Sequence, residues 1–179
     1  MCLGPVAHAE DDNDTDPARG GIKFAGGPRQ GVGELGNAFD LGFVAGLEAN
    51  YHPTSTSLTS TFGLGVAWSV YFGRFGPGRD AVIDETLKLV EMSFGLRVRK
   101  RMGDEELRFL TVGAGVTIMR TNLPVPPNDE RLNAGPYMGI GIEGHYKADT
   151  MFSFEVRYGL LANGPGSLSL LLGIAFIAK

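Results

Sequence analysis

Glu143, His145 and Ser153 are the residues that come nearest to a reactive set. Glu143 and His145 share one parity of an alternating segment, and Ser153 follows on the next segment. Such a set raises a hydrolase reading. A lipid A-modifying hydrolase must present its nucleophile to lipid, however, and these residues carry the opposite parity. No catalytic residue is assigned, and the chain is read as non-enzymatic, with that hydrolase as an alternative. His8, His52 and His145 have no metal-ligand spacing. Asp80, Asp84, Glu85, Asp129 and Glu130 lie in polar connections and read as solvated rather than as a calcium site. Neither a metal nor a cofactor is implied.

A larger set of charges shares the parity of Glu143 and His145 within each segment. It comprises Asp40, Glu48, Glu91, Arg97, Arg99, Glu155 and Arg157. The elements that carry them repeat with a period of two. Residues 39–51 place Phe39, Leu41, Phe43, Ala45, Leu47, Ala49 and Tyr51 on one side. Asp40, Gly42, Val44, Gly46, Glu48 and Asn50 fall on the other. The alternation recurs at 62–72, 90–99, 110–118, 138–145, 152–160 and 168–176. A helix would scatter these residues around its circumference, whereas a strand sorts them onto two faces. Single-chain bacterial barrels normally have an even strand number. The short, weakly patterned stretch 22–26 is the candidate for an eighth strand, and 31–36 competes for the role. Connections at 52–60, 102–106 and 147–150 are short and polar. Those at 75–85 and 121–133 are longer and carry Pro and Gly turn signals, while 162–167 is a short exception.

Glycine contributes 27 of the 179 residues, about twice its usual share of roughly 7%. That abundance argues against a helical bundle. A net charge of −4 and a pI of about 5.4 give no electrostatic reason to expect nucleic acid. No apolar run reaches the ~18 residues of a transmembrane helix, but a tilted transmembrane strand needs only about 9–11, half of them apolar. Volume then orients the faces. An eight-stranded lumen is just wide enough for side chains to fill, which suits Gly, Ala, Ser and Thr. The Phe, Trp, Leu, Ile and Val face is too bulky for it and must look outward, where only lipid accommodates such a band. A soluble ligand-holding barrel and a sandwich are the alternatives. The fold expected is all-β, an antiparallel up-and-down transmembrane barrel, with Leu64, Trp68, Phe94, Ile140, Phe154 and Leu172 facing lipid.

In strand pattern and topology, residues 21–179 resemble the small outer-membrane β-barrels of the OmpA and OmpX type. The resemblance implies a bacterial outer membrane, an external end with the longer loops and a periplasmic end with the short turns. Such barrels commonly end in an aromatic residue; here Phe176 lies shortly before Lys179. No peptidoglycan-binding domain follows the barrel in this sequence, so that tethering role is not implied. Residues 1–20 read as the remnant of a signal peptide and a flexible acidic lead-in. Ala7-His8-Ala9 is a small-x-small cleavage pattern followed by Glu10-Asp11-Asp12, although a basic start and an apolar core are missing upstream. Cys2 is the sole cysteine and excludes an intramolecular disulfide. Met1 is a poor residue to precede a lipidated cysteine.

Inside such a barrel, Glu48, Glu91, Arg97, Arg99, Glu143, His145, Glu155 and Arg157 form a lumen charge network. Glu48, Arg97, Glu143 and Glu155 lie about four to five residues from a short turn, roughly 15 Å along a strand. Arg97 or Arg157 is expected to meet Glu48, Glu143 or Glu155, because unpaired charges there are costly. A satisfied structural plug is the preferred reading, and a gate open to ions the other. Outside, Arg74, Lys88 and Arg120 continue the outward parity at the long-loop end, where they suit lipopolysaccharide phosphates; solvated rim charges are the plainer reading. Tyr158 and Phe72 at a similar level suit an aromatic girdle. The expected role is structural or docking, with an envelope protein or outer-membrane lipid as partner, and a narrow pore for ions or small solutes as runner-up.

Overall fold

In hydrocarbon every backbone N–H and C=O needs a partner, and strands supply this only by closing on themselves. The computed structural model describes residues 19–33, 35–36, 39–52, 58–73, 86–102, 108–125, 130–147, 149–160 and 166–178. The expected leader remnant, with Cys2 and His8, falls outside these residues, as do Arg74, Asp80, Asp84, Glu85 and Asp129. The side chains of Asp40, His52, Phe72 and Glu130 are likewise not described. The strands are β1 (Arg19–Val32), β2 (Phe39–His52), β3 (Leu58–Gly73), β4 (Leu87–Met102), β5 (Arg108–Val125), β6 (Glu130–Lys147), β7 (Thr150–Leu160) and β8 (Gly166–Ile177). Each pairs antiparallel with its sequence neighbour, and β1 closes the barrel on β8 from Gly21↔Ile177 to Val32↔Gly166.

The strand at 22–26 extends in both directions to become β1, and it absorbs Gly31 and Val32 from the competing stretch. Its pattern is weak because its outward positions include Gly26, Pro28 and Gln30. Pro28 has no N–H to give, and the β1–β8 ladder skips Gly27 and Pro28. Gly33 then turns the chain at φ 67°, and Leu35 folds back against Gly31.

Residues 53–57, 103–107 and 148–149 connect strands at one end, the short-turn end. The start of β1 and the end of β8 lie there too: the Ile177 amide donates to Asp149 O (2.9 Å) and the Ala178 amide to Gly20 O (2.8 Å). At the opposite, long-loop end, the loop expected over 121–133 is mostly strand. β5 runs to Val125 and β6 starts at Glu130, paired at Val125↔Glu130. Of the proline signals, Pro126 and Pro127 fall in 126–129, outside the described residues. The β4–β5 ladder reaches only Leu89↔Thr121, so the β5–β6 hairpin stands beyond it.

The two faces separate cleanly. Phe94 and Leu172 are 66% and 67% exposed, and Leu64, Trp68, Ile140 and Phe154 share that outward face. Leu87, on the inward parity, is fully buried. The exterior is thus a continuous apolar band around a closed sheet, and the chain crosses the membrane with strands; among the described residues no helix is long and apolar enough to do so. Aromatics gather at the short-turn side of the band. Tyr146 meets Phe152 edge-on at 5.6 Å, Phe24 meets Phe176 at 6.4 Å, and Tyr51 is exposed. Tyr158, expected in a girdle at the other end, is only partly exposed.

Candidate functional site in the barrel lumen

The inward parity of all eight strands points into one narrow space, and the charges in it sort by height. Nearest the short turns, Arg99 lies over the Phe109 ring at 4.1 Å, and Phe109 meets His145 edge-on at 5.9 Å. Arg99 Nε stands 3.1 Å from Glu143 Oε2, and its Nη2 reaches the Met151 sulfur at 3.8 Å. These side chains floor the lumen.

Above this floor lies the densest cluster. Arg97 Nη1 is 3.1 Å from Glu48 and 3.4 Å from Glu143, and its Nη2 donates to Glu155 at 3.0 Å. Arg157 donates through Nε to Glu155 (2.8 Å) and through Nη2 to Glu48 (3.3 Å). Lys23 Nζ donates to Glu155 at 3.2 Å. Six of the eight residues named from the sequence as a lumen network are thus joined by ion pairs: Glu48, Arg97, Arg99, Glu143, Glu155 and Arg157. His145 adjoins them through Phe109. Glu91 stands apart, higher in the lumen, where it pairs with Arg29. Arg29 also donates to Ser169 Oγ (2.8 Å) and Ser69 Oγ (2.6 Å). Buried charges need this much pairing, because a carboxylate stripped of water and left alone costs several kcal/mol or more.

Sequence reasoning missed Lys23, Arg29 and Tyr137. Parity could have found the first two: Lys23 stands between outward Ile22 and Phe24, and Arg29 shares its side. The Tyr137 ring lies 4.8 Å from the Arg157 guanidinium carbon. It fits because Gly95 and Gly115 face it, where any Cβ would collide with the ring. Gly139 likewise leaves room for Glu155, whose Oε1 would lie 2.7 Å from a Cβ there. The glycine-rich face is therefore the space into which long polar side chains fold.

The long-loop mouth is closed differently. Leu35, Leu87, Leu89 and Met119 are all buried there and form an apolar cap. Between floor and cap, three cavities of about 10, 20 and 40 Å³ lie along the lumen. A single water needs about 10–15 Å³, so each of these spaces has room for one to a few waters.

The reactive trio does not assemble. Glu143 lies directly opposite Ser153 across the β6–β7 ladder, yet its carboxylate is held by Arg97 and Arg99. Among the described residues Ser153 Oγ, which is buried, has no hydrogen-bond partner, so the nucleophile–base contact is not made. Among the described residues no cluster of His, Cys, Asp or Glu could hold a metal ion. On the outer surface, Lys88 and Arg120 are both exposed at the long-loop end of the β4–β5 pair, where the Lys88 amide donates to Asn122 Oδ1 at 2.7 Å.

No protein-family model matches the sequence, and no curated protein does. Solved structures do match. The chain is similar to Neisserial surface protein A, with a TM-score of 0.62 and 16% identity over 90% of this chain and 99% of that one. It is similar to Ail of Yersinia pestis in complex with the heparin analogue sucrose octasulfate, at TM-score 0.54 and 12% identity over 90% of this chain and 97% of that one. It is also similar to the outer membrane protein AlkL in lipid bilayers, at TM-score 0.51 and 14% identity over 100% of this chain and 97% of that one. At such identities the likeness carries the fold.

Proposed function

We propose, from the premise that this chain is a bacterial outer-membrane β-barrel of the small eight-stranded kind, that it is a non-enzymatic structural and docking element of the envelope. The observation that carries this reading is the filled lumen: a charged floor, a paired cluster and an apolar cap in series. A barrel plugged in this way contributes a rigid wall and displays its long-loop end. The β5–β6 hairpin, which stands beyond the ladder to β4, is the element that suits a protein partner. Lys88 and Arg120, with Arg74 on the adjoining segment, suit the phosphates of lipopolysaccharide.

Planar-bilayer recording of the purified barrel tests the proposal. The expected result is a silent membrane at protein densities where a porin of similar preparation conducts. Reproducible channel events would overturn it in favour of a narrow pore. One feature favours that second reading: Arg97 lies within 3.4 Å of three carboxylates and so has alternative partners. If events appear, their alteration in Glu48→Gln or Glu155→Gln assigns them to the lumen.

A further inference from the structure

A groove of about 740 Å³ runs along the outer wall of the barrel, within the size range of ligand sites, roughly 300–1,000 Å³. The strand registers define its walls. One wall is the row Arg108, Gly144, Phe152, Ile174 and Phe24, each opposite the next across a ladder. The other is the row Ile142, Phe154 and Leu172, two residues further along the same strands and so about 7 Å away. Between them lies only backbone, since Ser153, Gly173 and Ala25 have the inward parity. The first wall is interrupted at Gly144, where an added Cβ would meet open space.

The groove has a direction. Arg108 opens β5 at the short-turn edge, whereas Phe24 lies well inside β1. The row therefore climbs obliquely from the rim into the apolar band, as a row perpendicular to tilted strands must. Arg108 is exposed at its mouth, with Lys100 and Arg101 exposed nearby. Asp104, Glu105 and Glu106 also occur between Met102 and Arg108, so net charge at the rim is not what selects a ligand. What selects it is a guanidinium at the low end of an otherwise apolar channel. Tyr146 and Phe152 stand at the same edge as an aromatic pair.

The geometry points to a seat for one glycerophospholipid of the leaflet on the short-turn side. Its phosphate rests on Arg108, and one acyl chain lies between the two rows toward Gly26. The phosphate accepts hydrogen bonds from the guanidinium, and the chain fills the channel between the two rows. This seat rests on the chain being a transmembrane barrel, and it is independent of whether the lumen conducts.

Native mass spectrometry of the barrel released from detergent tests it, with dioleoylphosphatidylglycerol and dioleoylglycerol as probes. The expected result is one retained phosphatidylglycerol per barrel and about tenfold weaker retention of the phosphate-free lipid. Arg108→Gln should weaken phosphatidylglycerol retention by a similar factor, and Gly144→Phe, which fills the entrance, should abolish the specific adduct. Val66→Phe, on the lipid face of β3 away from the groove, should retain lipid as the parent does. Equal retention in all four proteins, or equal retention of the two lipids, would show only annular lipid and overturn the seat. Circular dichroism of each variant in vesicles separates that outcome from failure of the barrel itself, which would lose its β-signature.

Discussion

Arg29 and Glu91 show what a single pair does in this molecule. Both are buried high in the lumen and joined to each other, and Arg29 also donates to Ser69 and Ser169. Their attraction offsets a large desolvation cost, so the pair adds less to stability than its breakage removes. Glu91→Ala alone should therefore destabilise the barrel, by at most about 3–5 kcal/mol, because Arg29 loses the Glu91 carboxylate while staying buried. Arg29→Met with Glu91→Leu should cost markedly less than the two single changes together. Urea unfolding in lipid vesicles reads this cycle, and strictly additive losses would deny the pair its coupling.

Parity along a strand explains most of what the sequence made legible. Seven strands announced themselves because bulky apolar residues alternate with Gly, Ala, Ser and charges, and a strand sorts those two sets. β1 was legible only in its middle, since Gly26 and Pro28 blank its outward face. Leu35, Leu87 and Leu89 were not legible as a lumen cap, because hydrophobicity alone assigns them outward or to a loop. Pairing partners were harder still: parity places Glu91 and Glu48 on one face, but only the register of β1 gives Glu91 its own arginine. The element-scale consequence is depth-dependent tolerance. Leu172, 67% exposed in the middle of β8, should lose about 2–4 kcal/mol on replacement by Arg. Arg in place of exposed Met102, near the rim, should change stability little; an equal loss at both sites in vesicle unfolding would contradict an apolar band. At the opposite rim, the triple change Arg74→Gln, Lys88→Gln and Arg120→Gln should reduce lipopolysaccharide retained by the purified barrel at low salt, with its β-signature intact. Unchanged retention would leave those residues as solvated rim charges.

At the scale of the whole molecule, one decision generates the rest: the apolar face looks outward. It makes the exterior a lipid surface, leaves a lumen narrow enough to be filled by Arg and Glu side chains, and requires glycine wherever two long side chains must pass. β8 offers the clearest test, because Leu171 is apolar yet buried on the inward parity, whereas Leu170 and Leu172 face out. In a Cys2→Ser background, single cysteines carrying a nitroxide are placed at Leu168, Ser169, Leu170, Leu171, Leu172, Ile174 and Ala175, omitting Gly173, where a Cβ would crowd Ser153 and Phe24. Collision rates with oxygen, which concentrates in the bilayer, are then measured in phospholipid vesicles. High rates at 168, 170, 172 and 174 with low rates at 169, 171 and 175 are predicted, so that Leu171 behaves as a lumen residue despite its chemistry. High rates at Leu171 and low rates at Leu170 and Leu172, or a period near 3.6, would contradict a lipid-embedded barrel with this inside and this outside.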